Sequence, residues 1–82
     1  MIPRIKSLNA LDNYIIEVLF DDGKHVVYDV KPDIEQLDDF KQLLSLQGLW
    51  NQIQLDKSRT CVFWNDRIDL ASDIIYEYGD ST

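Results

Sequence analysis

Tyr14-Ile15-Ile16-Glu17-Val18-Leu19-Phe20, then Asp21-Asp22-Gly23-Lys24, then His25-Val26-Val27-Tyr28-Asp29-Val30 carries the strongest structural signal in this chain. β-Branched and aromatic side chains pack well on a pleated surface, so both flanking runs read as strands. Asp-Gly between two such runs predicts a hairpin, because glycine tolerates the positive φ a tight turn requires. Gly23 is therefore assigned a structural role. On the first strand Tyr14, Ile16, Val18 and Phe20 share one face. The other face holds Ile15 and Leu19 but also Glu17, and is at most half-buried. Arg4-Ile5-Lys6-Ser7-Leu8 supplies a strand preceding the hairpin.

Pro32-Asp33 ends the extended region. Asp33 with Gln36 three residues later resembles a capping box at a helix start. Ile34, Leu37, Phe40, Leu43 and Leu44 then recur at the three- and four-residue spacing of one helix face. Asp38-Asp39 offers a second cap that would split this helix into two short pieces. Gly48 closes the helical stretch, and Leu49-Trp50 packs back onto the core. Beyond it Ile53-Gln54-Leu55 alternates, Lys57-Ser58 turns, and Thr60-Cys61-Val62-Phe63-Trp64 is strongly strand-forming. Asn65-Asp66 makes another tight turn, and Ile68-Asp69-Leu70 forms a last short strand. A helix over residues 73–78 follows, ended by Gly79, with residues 80–82 as a tail. The expected fold is α+β, a mostly antiparallel sheet in the order β-β-β-α-β-β-β-α.

Eighty-two residues make one domain, 1–82, with 45% apolar and 11% aromatic side chains. A folded chain of this length has an expected radius of gyration near ~12 Å. No apolar run exceeds four residues, far short of a membrane span. Met1-Ile2-Pro3-Arg4-Ile5-Lys6 lacks the apolar stretch of a signal peptide. The single cysteine, Cys61, excludes an internal disulfide and suits a reducing compartment, so a cytoplasmic location is expected. The net charge is −7, with nine acidic against five basic residues over 1–41 and six against three over 42–82. Charge spread in this way favours solubility and repels polyanions. The eight basic residues are scattered, which disfavours nucleic acid as a partner.

Phe20-Asp21-Asp22-Gly23, Tyr28-Asp29-Val30-Lys31-Pro32, Trp64, Ile68-Asp69-Leu70, Asp73 and Ile75-Tyr76-Glu77 occur in an order and spacing with a known precedent. In this the chain resembles the small bacterial family catalogued as domain of unknown function 2442, over about residues 4–79. Two departures stand out. Members often carry glycine in the turn after the Trp strand, where this chain has Asn65-Asp66-Arg67. They often carry proline in the first turn of the last helix, where this chain has Ser72. The resemblance implies a prokaryotic or phage source and supplies no catalytic mechanism. Some relatives look like modules beside a helix-turn-helix or partners of another small protein. No helix-turn-helix fits this chain.

Cys61 and His25 are the candidates for a thiol nucleophile and its base, but no orienting third group or oxyanion nest accompanies them. Cys61 within a strand reads instead as a small hydrophobe. Asp66, Asp69 and Asp73 fall three and four residues apart, a spacing that can gather carboxylates around Mg²⁺ or Ca²⁺. Asp69 on a strand and Asp73 at a helix start have structural roles that need no metal. One Cys and one His cannot make a zinc site, and three isolated glycines make no phosphate cradle. No cofactor or metal is expected.

Trp64 and Tyr76 are assigned, with most other aromatics, to the core. Trp50, beside Gly48 and Asn51, is expected to stay partly exposed and is the candidate interface anchor. The favoured expectation is a non-catalytic protein-interaction module, the acidic partner in a two-protein bacterial system, with homodimerisation through edge strands open to it. The alternative is a small enzyme or a small-ligand or metal binder built on Asp69, Asp73 and Tyr76. A weaker alternative is an acidic mimic of nucleic acid.

Overall fold

In a computed structural model that describes residues 2–81, the central hairpin forms as its side chains require. Strand β1 (Ile5–Ala10) leads into β2 (Ile15–Phe20), and β3 (His25–Asp29) follows the Asp-Gly turn. The Phe20 amide donates to the Lys24 carbonyl and the Gly23 amide to the Phe20 carbonyl, both at 2.9 Å. This three-residue loop places Gly23 at φ 91°, the left-handed position glycine fills without cost. Ile16, Val18 and Phe20 are buried while Ile15, Glu17 and Leu19 are half-buried, the two faces the alternation demands. Tyr14 leaves the strand. With Asn13 it adopts a left-handed conformation, at φ 59° and 64°, in the loop joining β1 to β2.

The helical stretch is broken. Helix α1 (Lys31–Gln36) ends where Leu37 turns extended, a 3₁₀ turn spans Asp38–Lys41, and α2 (Gln42–Ser45) completes the segment. The split at Asp38-Asp39 prevails over one continuous helix. As a result Ile34, Phe40 and Leu43 are buried, while Leu37 and Leu44 are 47% and 57% exposed and leave the expected stripe. The capping box does not form either. Val30 is the N-cap, Asp33 lies inside the first turn, and its carboxylate accepts from the Tyr28 hydroxyl at 2.6 Å. Gly48, at φ 82°, turns the chain back so that Leu49 is buried.

The fold is α+β, as expected, and among the described residues its antiparallel strands divide into two sheets where one was expected. The first has the order β1-β2-β3-β7, where β7 is Asp80–Ser81, and the second the order β4-β5-β6, comprising β4 (Gln54–Leu55), β5 (Cys61–Asn65) and β6 (Ile68–Ala71). Both contribute to one buried cluster that includes Ile5, Phe20, Val26, Val62, Trp64 and Ile68. Helix α3 (Ser72–Tyr78) starts directly from β6, with Asp73 in its first turn where a carboxylate faces free amides. Ser72 is fully buried, and its Oγ donates to the Pro3 carbonyl at 2.6 Å. Residues 80–82 are not a simple tail: β7 (Asp80–Ser81) pairs with Val27 and Val26 of β3. Thr82, like Met1, lies outside the described residues. The Cα radius of gyration is 11.9 Å, as expected for this length.

Candidate functional site

The β2–β3 turn and helix α3 are clasped by three side chains. The Tyr76 hydroxyl donates to Asp22 Oδ2 at 2.7 Å, and Lys24 Nζ donates to the Tyr76 carbonyl at 2.9 Å. The same ammonium lies 3.8 Å from the centre of the Tyr76 ring, a cation–π contact. Tyr76 also meets Phe20 edge to face, with centroids 4.9 Å apart. The Tyr76 hydrogen bond, then the Lys24 amide, holds the Asp22 carboxyl below its ordinary range. The same bond pushes the Tyr76 phenol up. On the other side Arg59, at φ 61°, directs its guanidinium to Asp21 at 2.8 Å. Its carbonyl accepts from the Ile5 amide at 2.7 Å, joining the Lys57-Ser58 turn to β1.

A groove of about 1010 Å³ opens beside this clasp. It is lined by the apolar Ile2, Pro3 and Phe20, by the acidic Asp21, Asp22, Asp73 and Glu77, and by Arg4. Asp21 and Asp22 are engaged as described. Among the described residues Glu77 makes no ion pair or side-chain hydrogen bond, and the Asp73 carboxylate accepts only from the adjacent Ile74 amide. The groove thus presents a net negative charge, four carboxylates against the one guanidinium of Arg4, beside an apolar surface.

A second opening lies at the far end of β1. Four aromatics line up there: Trp50 stacks on Trp64 at 5.6 Å and 23°, Tyr14 meets Trp50 at 5.3 Å and 70°, and Phe40 meets Trp64 at 6.1 Å. Trp64 Nε1 donates to the Trp50 carbonyl and Trp50 Nε1 to the Leu11 carbonyl, at 3.2 and 2.9 Å. Trp50 is therefore half-buried and fixed in orientation, and with Tyr14, Asp12 and Asn51 it lines a cleft of about 300 Å³.

Asp73 and Tyr76 share the acidic groove, but Asp69 does not join them. It stands on the exposed side of β6, paired in register with Phe63. Among the described residues no three His, Cys, Asp or Glu side chains are grouped to hold a metal ion. His25 Nε2 lies 3.1 Å from Glu17 on the first sheet. Cys61 sits on the second, where burial and the charges of Asp69 and Asp56 push its thiol up, away from the thiolate a nucleophile needs. Sequence reasoning missed the pairing of Asp22 and Lys24 with Tyr76, the buried Ser72 and the left-handed Asn13-Tyr14 pair. Only the Asp-Gly turn hinted at the first.

The stretches that carry the family resemblance now have defined places. Phe20-Asp21-Asp22-Gly23 is the hairpin turn, Tyr28 to Pro32 the passage from β3 into α1, and Asp73 with Ile75-Tyr76-Glu77 the groove-lining helix. The family model described as protein of unknown function (DUF2442) matches residues 5–81. The chain belongs to that family. No curated protein and no solved structure matches it. Where other members of DUF2442 often place glycine after the Trp strand, Asn65 Oδ1 accepts from the Arg67 and Ile68 amides at 2.9 and 3.1 Å and closes the turn by its side chain. Among the described residues no helix is long and apolar enough to cross a membrane.

Proposed function

We propose that this chain is a non-catalytic protein-interaction module, the acidic member of a two-protein bacterial system, and that it receives a basic protein in the cytoplasm. The acidic groove supports this reading: among the described residues its carboxylates Asp73 and Glu77 form no ion pair, and Ile2, Pro3 and Phe20 add apolar lining. A surface of that kind attracts a positively charged partner at low salt and offers it apolar area to bury. The alternative built on Asp69, Asp73 and Tyr76 has less support, because Asp69 stands outside the groove.

The test is capture of partners from the native host by the tagged protein, compared with the double variant Asp73→Asn, Glu77→Gln. A basic partner that is released by high salt and captured less well by the double variant supports the reading. Recovery of nothing, with the protein monomeric throughout, overturns it. Self-association through β1, an outer strand of its sheet, is a competing outcome that sizing of the same sample detects.

A further inference from the structure

The cleft at the far end of β1 combines three features that point to one ligand chemistry. Tyr14 and Trp50 form a corner, their ring planes 70° apart with centroids at 5.3 Å. Trp50 Nε1 is tied to the Leu11 carbonyl and the ring is backed by Trp64, so the corner is rigid before any ligand arrives. Asp12 lines the same cleft, is exposed, and makes no ion pair or side-chain hydrogen bond among the described residues. Leu11, 40% exposed, adds an apolar ledge.

Tyr14 is held there at a cost. A bulky residue at φ 59° is a backbone outlier, whereas its neighbour Asn13, at φ 64°, is of a type that visits the left-handed region routinely. An outlier such as Tyr14 persists where the surroundings enforce it, and such residues collect at binding sites. Lys31 Nζ braces the loop by donating to the Asn13 carbonyl at 2.7 Å, but Lys31 pairs with Asp29 and does not line the cleft.

Aromatic faces meeting at an angle beside an unpaired carboxylate recognise a cation, the rings through their quadrupoles and the carboxylate through its charge. We infer that the Tyr14–Trp50 corner, with Asp12, receives a lysine or arginine side chain of the basic partner. Asp12 selects a cation that still carries N–H donors over a quaternary ammonium, and Leu11 covers the alkyl stem. This rests on the interaction-module reading and adds a second contact point to it, at the opposite end of β1 from the acidic groove.

The experiment is an NMR titration of the full chain with a capped lysine-rich hexapeptide and its Nε-acetylated counterpart, followed at the indole N–H of Trp50 and the amides of residues 12–14. Saturable shifts with the charged peptide, lost on acetylation and weakened roughly threefold in Asp12→Asn, are expected. Asp12 is exposed and unbonded, so that variant keeps the fold. Shifts confined to Asp21, Asp22, Asp73 and Glu77 overturn the corner but leave the interaction module standing. Shifts at Trp50 that survive acetylation also overturn it, because the rings are then binding an apolar stem and not a charge. Absence of shifts at both places counts against the corner and the acidic groove together.

Discussion

The Tyr28 hydroxyl donates to Asp33 Oδ2 at 2.6 Å, linking the end of β3 to the first turn of α1. Burial, followed by this bond and the Asp33 charge, pushes the Tyr28 phenol well above its ordinary 10.0. A group whose folded value is raised contributes stability that is fully present below the unfolded value and lost as pH rises through the folded one. Stability should therefore decline above about pH 10 as the unfolded phenol ionises. Tyr28→Phe should cost about 1–2 kcal/mol at neutral pH and flatten that alkaline decline. Urea melts from pH 7 to 11 check both; a variant with the wild-type alkaline slope excludes Tyr28 as its source.

Gly23 and Gly79 should fail for different reasons. A Cβ at Gly23 meets nothing within 4 Å, so Gly23→Val pays only for its backbone at φ 91°, about 1–2 kcal/mol. Gly79 has an ordinary extended φ, but its Cβ would collide with Val26 Cγ1 and lie 2.7 Å from the Ile75 carbonyl. Gly79→Ala should cost about 1–3 kcal/mol by overpacking. Hydrogen exchange separates them, with lost protection centred on the β2–β3 turn for Gly23→Val and on β3 and the end of α3 for Gly79→Ala. An unchanged urea midpoint for either variant contradicts its assignment.

Trp64 is 3% exposed, stacked on Trp50 and in edge contact with Phe40. Trp64→Ala should cost about 3–5 kcal/mol, a large share of the ~5–15 kcal/mol typical of a domain. Circular dichroism and calorimetry decide the matter. A soluble variant with an unchanged melting temperature would show that the aromatic row does not support the core.

Tyr76→Phe removes the bond that chiefly holds the Asp22 carboxyl below its ordinary 3.8. The Asp22 titration midpoint should move upward, as read by carboxyl-carbon NMR. A carboxylate with a depressed folded value contributes stability present above the unfolded value and lost as pH falls through the folded one. The variant should consequently lose part of the acid-sensitive component of wild-type stability below about pH 4. An unmoved Asp22 midpoint would mean that the Lys24 amide, not Tyr76, sets its acidity.

Much of this fold was legible because the hairpin is written locally: two strand-forming runs, an Asp-Gly, and alternation that sorts Ile16, Val18 and Phe20 from Ile15 and Leu19. What could not be read depends on distant partners. The break at Leu37 competes with a helical period that continues through it, and packing settles the competition. Tyr14 is strand-forming by type, yet its backbone is set by a loop whose Val30–Tyr14 hydrogen bond spans two strands. The candidate sites follow the same rule. Trp50 stands out in the sequence by its neighbours Gly48 and Asn51, Asp73 by its spacing from Asp66 and Asp69, and Tyr76 by its place in the family resemblance. The Asp22–Tyr76 bond joins residues 54 positions apart and leaves no local trace.

Strand β7 gives the order of synthesis a structural meaning. Val26 and Val27 wait for Ser81 and Asp80, and the Pro3 carbonyl waits for Ser72, 69 positions later. The sheet begun by Ile5–Ala10 is closed by Asp80–Ser81. Contacts of such long range are slow to form because the intervening chain must first be brought together. Until Asp80 and Ser81 arrive, the outer edge of β3 is consequently an open template, in the very protein whose proposed work is to pair with another.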